Sequence, residues 1–200
     1  FTSVRRLVQH EDYMLHVMAR VDVPSAAVVG IVEITPDQEY LLVTEFLAGA
    51  VEVSDIAVDE AMIDEGLEIV ETMWRTGLAH RDIKPANVMV QDGHIRLIDV
   101  AFAQVRPSPW RQAVDLANMM LVLALQSSPE LVYERAQLRF TDEELAEAFA
   151  ASRGVTLPSG LRRSLRQDGR ELLERFRDLS PERPPVSIQR WSLRRVGLTL

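Results

Sequence analysis

Apolar positions in residues 2–20 recur at helical spacing: Val4, Leu7, Val8, Leu15 and Met18 share one stripe, and Glu11 interrupts it. The spacing predicts an amphipathic helix that carries one carboxylate on its inner face. Pro24 closes this element, and two β-rich runs follow, Ala26 to Ile34 and Tyr40 to Glu45, separated by Thr35-Pro36-Asp37-Gln38. Turn residues between two such runs predict a hairpin. Phe46 to Ala50 is a short connector containing Gly49. A long amphipathic helix is then expected from about Asp59 to Arg75, with Gly77 at its C-terminal cap.

Two short strands are predicted next, Val88 to Val90 and Ile95 to Ile98, because Asp92-Gly93 between them is a tight-turn signal. Arg111 to Gln126 is helical in period and apolar nearly all round, the pattern of a buried helix. Further helices are expected near 128–139, 142–151 and 159–178, followed by a Pro-rich tail. The methionines read as core filler. His10, His16 and His94 read as surface or turn residues, and Trp74 as packing.

Composition adds bounds to this pattern. A chain of 200 residues with 47% apolar content suits one domain with appendages and a real core. Cysteine is absent, so disulfides and thiolate metal sites are excluded, and a cytoplasmic setting is the expectation. No run approaches the roughly 20 apolar residues that cross a bilayer. The net charge of −8 is unevenly spread: Val21 to Trp74 holds thirteen Asp and Glu and no Lys or Arg. An acidic first half argues against nucleic acid as a partner. From Leu161 on there are ten Arg against five acids, ending in Arg190-Trp191-Ser192-Leu193-Arg194-Arg195. Two readings stand side by side, a solvated tail and a basic collar at the cytoplasmic face of a membrane segment beyond Leu200.

Of the 22 basic residues only Lys84 is lysine, and it lies within His80-Arg81-Asp82-Ile83-Lys84-Pro85-Ala86-Asn87. Arg and Lys differ in shape and hydration, so one retained ammonium is informative. Phosphoryl transfer needs a carboxylate to orient the attacking group, hard oxygen ligands for a metal, and a cation for developing charge. Asp82, Lys84 and Asn87 supply these around one turn, and Asp99 returns twelve residues after Asn87, past the predicted hairpin. A hairpin brings its ends together, so Asn87 and Asp99 should converge as an amide and carboxylate pair for Mg²⁺.

This segment resembles the catalytic loop of the protein-kinase-like superfamily, matching its HRDxKxxN pattern at every defined position. The resemblance runs from residue 1 to about 126. It implies an α+β kinase-like fold: an incomplete small lobe over 1–47 (regulatory helix and hairpin), a mostly helical large lobe over 48–180, and a tail over 181–200. It further implies Asp82 as catalytic base, Lys84 against the γ-phosphate of ATP, Asn87 and Asp99 as Mg²⁺ ligands, and Glu11 as the helix glutamate. Val43 to Gly49 resembles the hinge, with Thr44 as gatekeeper and the backbone of Glu45 and Leu47 meeting adenine. His80 and Arg81 are structural in this frame, and Asp115 ties the central helix to the catalytic loop.

Departures from the pattern matter equally. The family's Gly-rich loop and strand lysine are absent, and because the first residues already read as helix they are expected upstream of Phe1; their absence there would favour a scaffold. Asp99-Val100-Ala101 stands where the family has Asp-Phe-Gly. Only fifteen residues separate Asp99 from Asp115, without an Ala-Pro-Glu string. In this the chain resembles compact atypical kinases, RIO kinases and small-molecule phosphotransferases among them. The reading is an ATP- and Mg²⁺-dependent phosphotransferase whose acceptor is a protein Ser/Thr or a small-molecule hydroxyl. The alternative is a pseudokinase scaffold that binds nucleotide or a partner without catalysis.

Overall fold

The structure, a computed structural model, describes residues 4–36, 38–152 and 156–181. Helix α1 covers Val4–Arg20 and leads through Pro24 into an antiparallel ribbon of β1 (Val28–Thr35) and β2 (Glu39–Thr44). The ribbon packs on α1. Burial on α1 starts at Met14 and continues at Leu15 and Met18, whereas Val4 and Leu7 are 50% and 45% exposed. The expected stripe is therefore filled only in its second half, since no described element lies over the first turns. A two-stranded ribbon can bury one face at most, and Val29, Val32, Ile34 and Leu41 remain exposed.

The rest of the chain is organised around one helix. Ala113 to Ala124 are twelve consecutive buried residues within α3 (Pro109–Leu125), as a helix apolar on every side requires. Around it pack α2 (Glu60–Arg75), α4 (Pro129–Ala136), α5 (Asp142–Ala151), α6 (Ser159–Asp168) and α7 (Leu172–Leu179). Three of the helix starts have a clear local cause, that of α4 being Ser128, whose Oγ accepts from the Leu131 N–H at 3.2 Å. Asp59 caps α2 by accepting from the Met62 N–H at 2.9 Å, and Thr141 with Glu144 forms a capping box on α5. Gly77, at φ 72°, ends the α2 region in a left-handed turn.

The three-stranded sheet runs β3 (Val51–Glu52), β5 (Val88–Gln91), β6 (His94–Leu97), all antiparallel. A second pair, β4 (Leu78–Ala79) with β7 (Gln104–Val105), brackets the segments around Asp82 and Asp99. These two-residue strands carry no readable sequence period. The helix expected over 159–178 is two helices, because Gly169 and Glu171 both take positive φ, 74° and 53°. The helix expected near 128–139 ends at Ala136. The tail lies, from residue 182 on, outside the described residues. Among the described residues no helix is long and apolar enough to cross a membrane.

Two long-range contacts fix the C-terminal helices on the rest of the lobe. The Arg170 guanidinium donates to the carbonyls of Ala124, Leu125 and Ser127 at 2.9–3.0 Å, satisfying the open end of α3. Phe176 of α7 stacks on Phe149 of α5 with ring centroids 4.9 Å apart, and both are buried. Phe176→Ala should cost about 3–5 kcal/mol through the cavity it leaves, read as a lowered urea midpoint at unchanged slope.

Candidate active site

The turn between β4 and β5 is built from its polar side chains inward. The buried carboxylate of Asp115, 1% exposed, accepts from the backbone N–H of His80 at 2.5 Å and of Arg81 at 2.9 Å. These bonds hold Arg81 at φ 69°, a conformation that costs a non-glycine residue about 1–2 kcal/mol. His80 is buried beside it and donates its Nε2–H to the Ile98 carbonyl at 3.1 Å. Burial pushes the His80 imidazole below its usual range, so it serves here as a neutral strut. The loop from His80 is thus pinned to α3 on one side and to the strand before Asp99 on the other.

Asp82, Lys84, Asn87 and Asp99 form one cluster. Lys84 Nζ lies 2.5 Å from Asp82 Oδ2 and 3.8 Å from Asp99 Oδ2. The Asn87 amide donates through Nδ2 to the Asp82 carbonyl (2.9 Å), to Asp82 Oδ2 (3.1 Å) and to Asp99 Oδ2 (3.5 Å). With its nitrogen so engaged, the oxygen Oδ1 is the atom Asn87 offers a cation. The backbone bond from the Ile98 N–H to the Asn87 carbonyl, 3.1 Å, closes the strand pair at this point. Asp99 sits at φ 60° and is the more open carboxylate, 44% exposed against 15% for Asp82.

Beside this cluster is a cleft of about 420 Å³ lined by Glu11, Leu15, Thr44, Glu45, Leu47, Met89 and Asp99 among others. All four residues expected to meet nucleotide, Glu11, Thr44, Glu45 and Leu47, therefore line one cleft with Asp99. The Glu45 N–H is spent on the Ala27 carbonyl at 2.7 Å. Burial, and then the charge of Asp99, push the Glu11 carboxyl above its ordinary range, with His10 opposing. Among the described residues no lysine or arginine pairs with Glu11. Asp82 and Asp99 with the Asn87 amide oxygen are hard oxygen donors beside a single ammonium, a set that fits a divalent cation of the magnesium kind.

Several neighbours of the site carry no local sequence signal. His10, read as a surface residue, is half-buried and bonds the Ala103 carbonyl at 2.9 Å, joining α1 to the chain after Asp99. Met89 lines the cleft and, with Met62, is only half-buried rather than core. Gln112 donates to the Trp74 and Leu78 carbonyls at 2.9 and 3.1 Å, coupling α3 to the end of α2. Val100, in the place of an aromatic, is fully buried, while Phe102 stays exposed.

Burial raises the Asp115 carboxyl from its ordinary 3.8 to about 7, against the pull of its two N–H donors. An acid whose folded pKa is raised keeps its proton in the fold after the unfolded chain has lost it. Stability should therefore fall as pH rises from about 4 to about 7, and level off above that. Asp115→Asn should be less stable throughout, yet its unfolding free energy should lose this contribution to the pH slope, measured by denaturant titration across that range.

The sequence model of the lipopolysaccharide kinase (Kdo/WaaP) family matches residues 13–147. Dual specificity protein kinase Ttk of Danio rerio is 45% identical over 42 residues, covering 20% of this chain and 4% of that protein. Human (Homo sapiens) 3-phosphoinositide-dependent protein kinase 1 is 33% identical over 79 residues, covering 39% of this chain. The chain spans only 14% of that relative's length. A solved structure, WaaP in complex with acyl carrier protein, aligns with 84% of this chain and 73% of its own, at 20% identity and a TM-score of 0.49. The family match takes in Asp82, Lys84, Asn87, Asp99 and Asp115 together, and by it the chain belongs to the lipopolysaccharide kinase (Kdo/WaaP) family of kinase-like phosphotransferases.

Proposed function

We propose that this chain transfers the γ-phosphoryl group of ATP to a hydroxyl of a sugar acceptor, of the kind the family's lipopolysaccharide description implies. The observation that carries this reading is the single cluster of Asp82, Lys84, Asn87 and Asp99 at the edge of the cleft holding Glu11, Thr44 and Leu47. In this reading adenine lies along Glu45 to Leu47, where the Glu45 carbonyl and the Leu47 N–H offer one acceptor and one donor. Asp82 accepts a hydrogen bond from the acceptor hydroxyl and aims its oxygen at the γ-phosphorus. The Lys84 ammonium moves with the charge that gathers on the transferred oxygens. Asn87 Oδ1 and Asp99 would hold Mg²⁺, which would supply charge neutralisation at the phosphates.

The short segment between Asp99 and α3 favours a sugar over a protein acceptor. Residues 100–108 are used up by a turn at Val100 to Ala103, by β7 and by the entry to α3. Little chain is left to lie as a strand against a substrate peptide.

Mg-ATP should raise the thermal midpoint of the full-length protein by mass action, by an amount equivalent to about 2.7 kcal/mol at a hundredfold excess over Kd. Chelation of the metal, or Asp99→Ala, should abolish that shift. Asp82→Asn should keep it while lowering phosphoryl transfer roughly 10²–10⁴-fold. Nucleotide stabilisation without transfer to any sugar would support a nucleotide-binding scaffold instead, and no stabilisation at all would sink the kinase reading and leave a scaffold that binds a partner.

A further inference from the structure

Helix α6 packs on the 3-10 turn Pro85–Asn87, which begins directly after Lys84. Gly160 in its first turn faces the lysine: a methyl built there would stand 3.4 Å from Cδ of Lys84 and 4.0 Å from both Cβ and Cγ. The three nearest neighbours of that position therefore all belong to the aliphatic stem of Lys84. Among the described residues Gly160 is outside the set of glycines with positive φ, so its backbone conformation does not call for glycine. Glycine is also a poor helix former, and an alanine would serve the helix better. The close approach to Lys84 is what the missing side chain accommodates: one methyl would reach the stem, and a larger group would have to displace it.

The stem matters because it decides where the charge stands. A lysine carries its ammonium on a flexible four-carbon chain, so the tip is placed only as well as the chain is confined. Here the tip lies 2.5 Å from Asp82 Oδ2 and 3.8 Å from Asp99 Oδ2. Two carboxylates hold the charged end, and the α6 backbone at Gly160 bounds the stem. The helix is not free to back away from the lysine. Leu161, the next residue, is fully buried, and Arg170, just after α6, donates to the carbonyls of Ala124 and Leu125 at the end of α3. Crowding at position 160 is thus relieved by moving the lysine, the more flexible partner, because a packed core yields little.

We infer that Gly160 is a positioning residue for phosphoryl transfer: by having no side chain it lets α6 come against the stem of Lys84, and so sets how far the ammonium reaches toward the transferred group. The consequence for rate rests on the kinase reading, whereas the contact itself is open to test without catalysis. Gly160 touches neither nucleotide nor acceptor in this scheme and acts through Lys84.

The test compares wild type, Gly160→Ala and Gly160→Val in the full-length protein, each with and without Lys84→Met. Gln167→Val is the control, an exposed position about two turns further along the same helix. The first readout is the nuclear magnetic resonance signal of lysine labelled at Cε, the Lys84 signal being the one that Lys84→Met removes. Gly160→Val should displace that signal, Gly160→Ala should displace it less, and Gln167→Val should leave it in place. The second readout is transfer from Mg-ATP to a deacylated lipopolysaccharide core oligosaccharide. Gly160→Val should lower kcat roughly 10- to 100-fold, the cost of a misplaced group, with both KM values held within about twofold. In the Lys84→Met background the same substitution should cost nothing further. A Lys84 signal that stays in place in Gly160→Val overturns the inference, and so do losses that add in the double variant. If Gly160→Val does not fold, the signal in Gly160→Ala decides: displaced upholds the inference, unmoved overturns it. Should wild type transfer nothing, the kinase reading fails separately, and the signal alone upholds or overturns the contact.

Discussion

The Asp115 carboxylate, bonded to the backbone of His80 and Arg81, is the contact on which the site depends. Without it nothing would compensate the left-handed backbone at Arg81, and that backbone sets the direction in which Asp82 leaves the loop. The geometry of Lys84 and Asn87 is referred to Asp82, so their placement inherits the same anchor. A strained loop is maintained because a buried acceptor offsets the strain from outside it. The carboxylate in turn accepts burial, visible in its raised pKa.

Helix α3 works as a rigid reference for more than this one contact. Its first half carries Asp115 and Gln112, which fix the catalytic loop and the end of α2. Its far end accepts Arg170, which fixes the junction of α6 and α7. The turn around Asp82 and the junction of α6 and α7 are thus positioned from a single element. Acids gather around the cleft beside Asp99, with Glu11 and Glu45 in its lining.

Much of this was legible in the sequence because the informative segments are short and local. The turn between His80 and Asn87, the Asp-Gly hairpin and the all-round apolar run of α3 each depend on neighbours in sequence. The convergence of Asn87 with Asp99 followed from hairpin geometry alone, and the atoms stand 3.5 Å apart. What stayed hidden is set by partners far along the chain. His10 meets Ala103 across 93 residues, and Arg170 meets Ala124 across 46. The break between α6 and α7 falls at Gly169, a left-handed cap the helical period ran across, and at Glu171, whose left-handed conformation its residue type does not announce. Leu7 and Val4 show the converse error, since a helical period states which face is apolar without stating that something covers it.

The separation between the loop and its anchor bears on how the protein is made. His80 and Arg81 precede Asp115 by 35 and 34 residues, and synthesis runs from the N-terminus at about 5–20 residues per second. Every residue of the HRDxKxxN string, and Asp99 after it, leaves the ribosome before the carboxylate that gives the string its shape. A chain halted short of Asp115 would carry the complete catalytic motif and no means of holding it. The signature residues of the string therefore wait for a buried helix to emerge before they can take their shape.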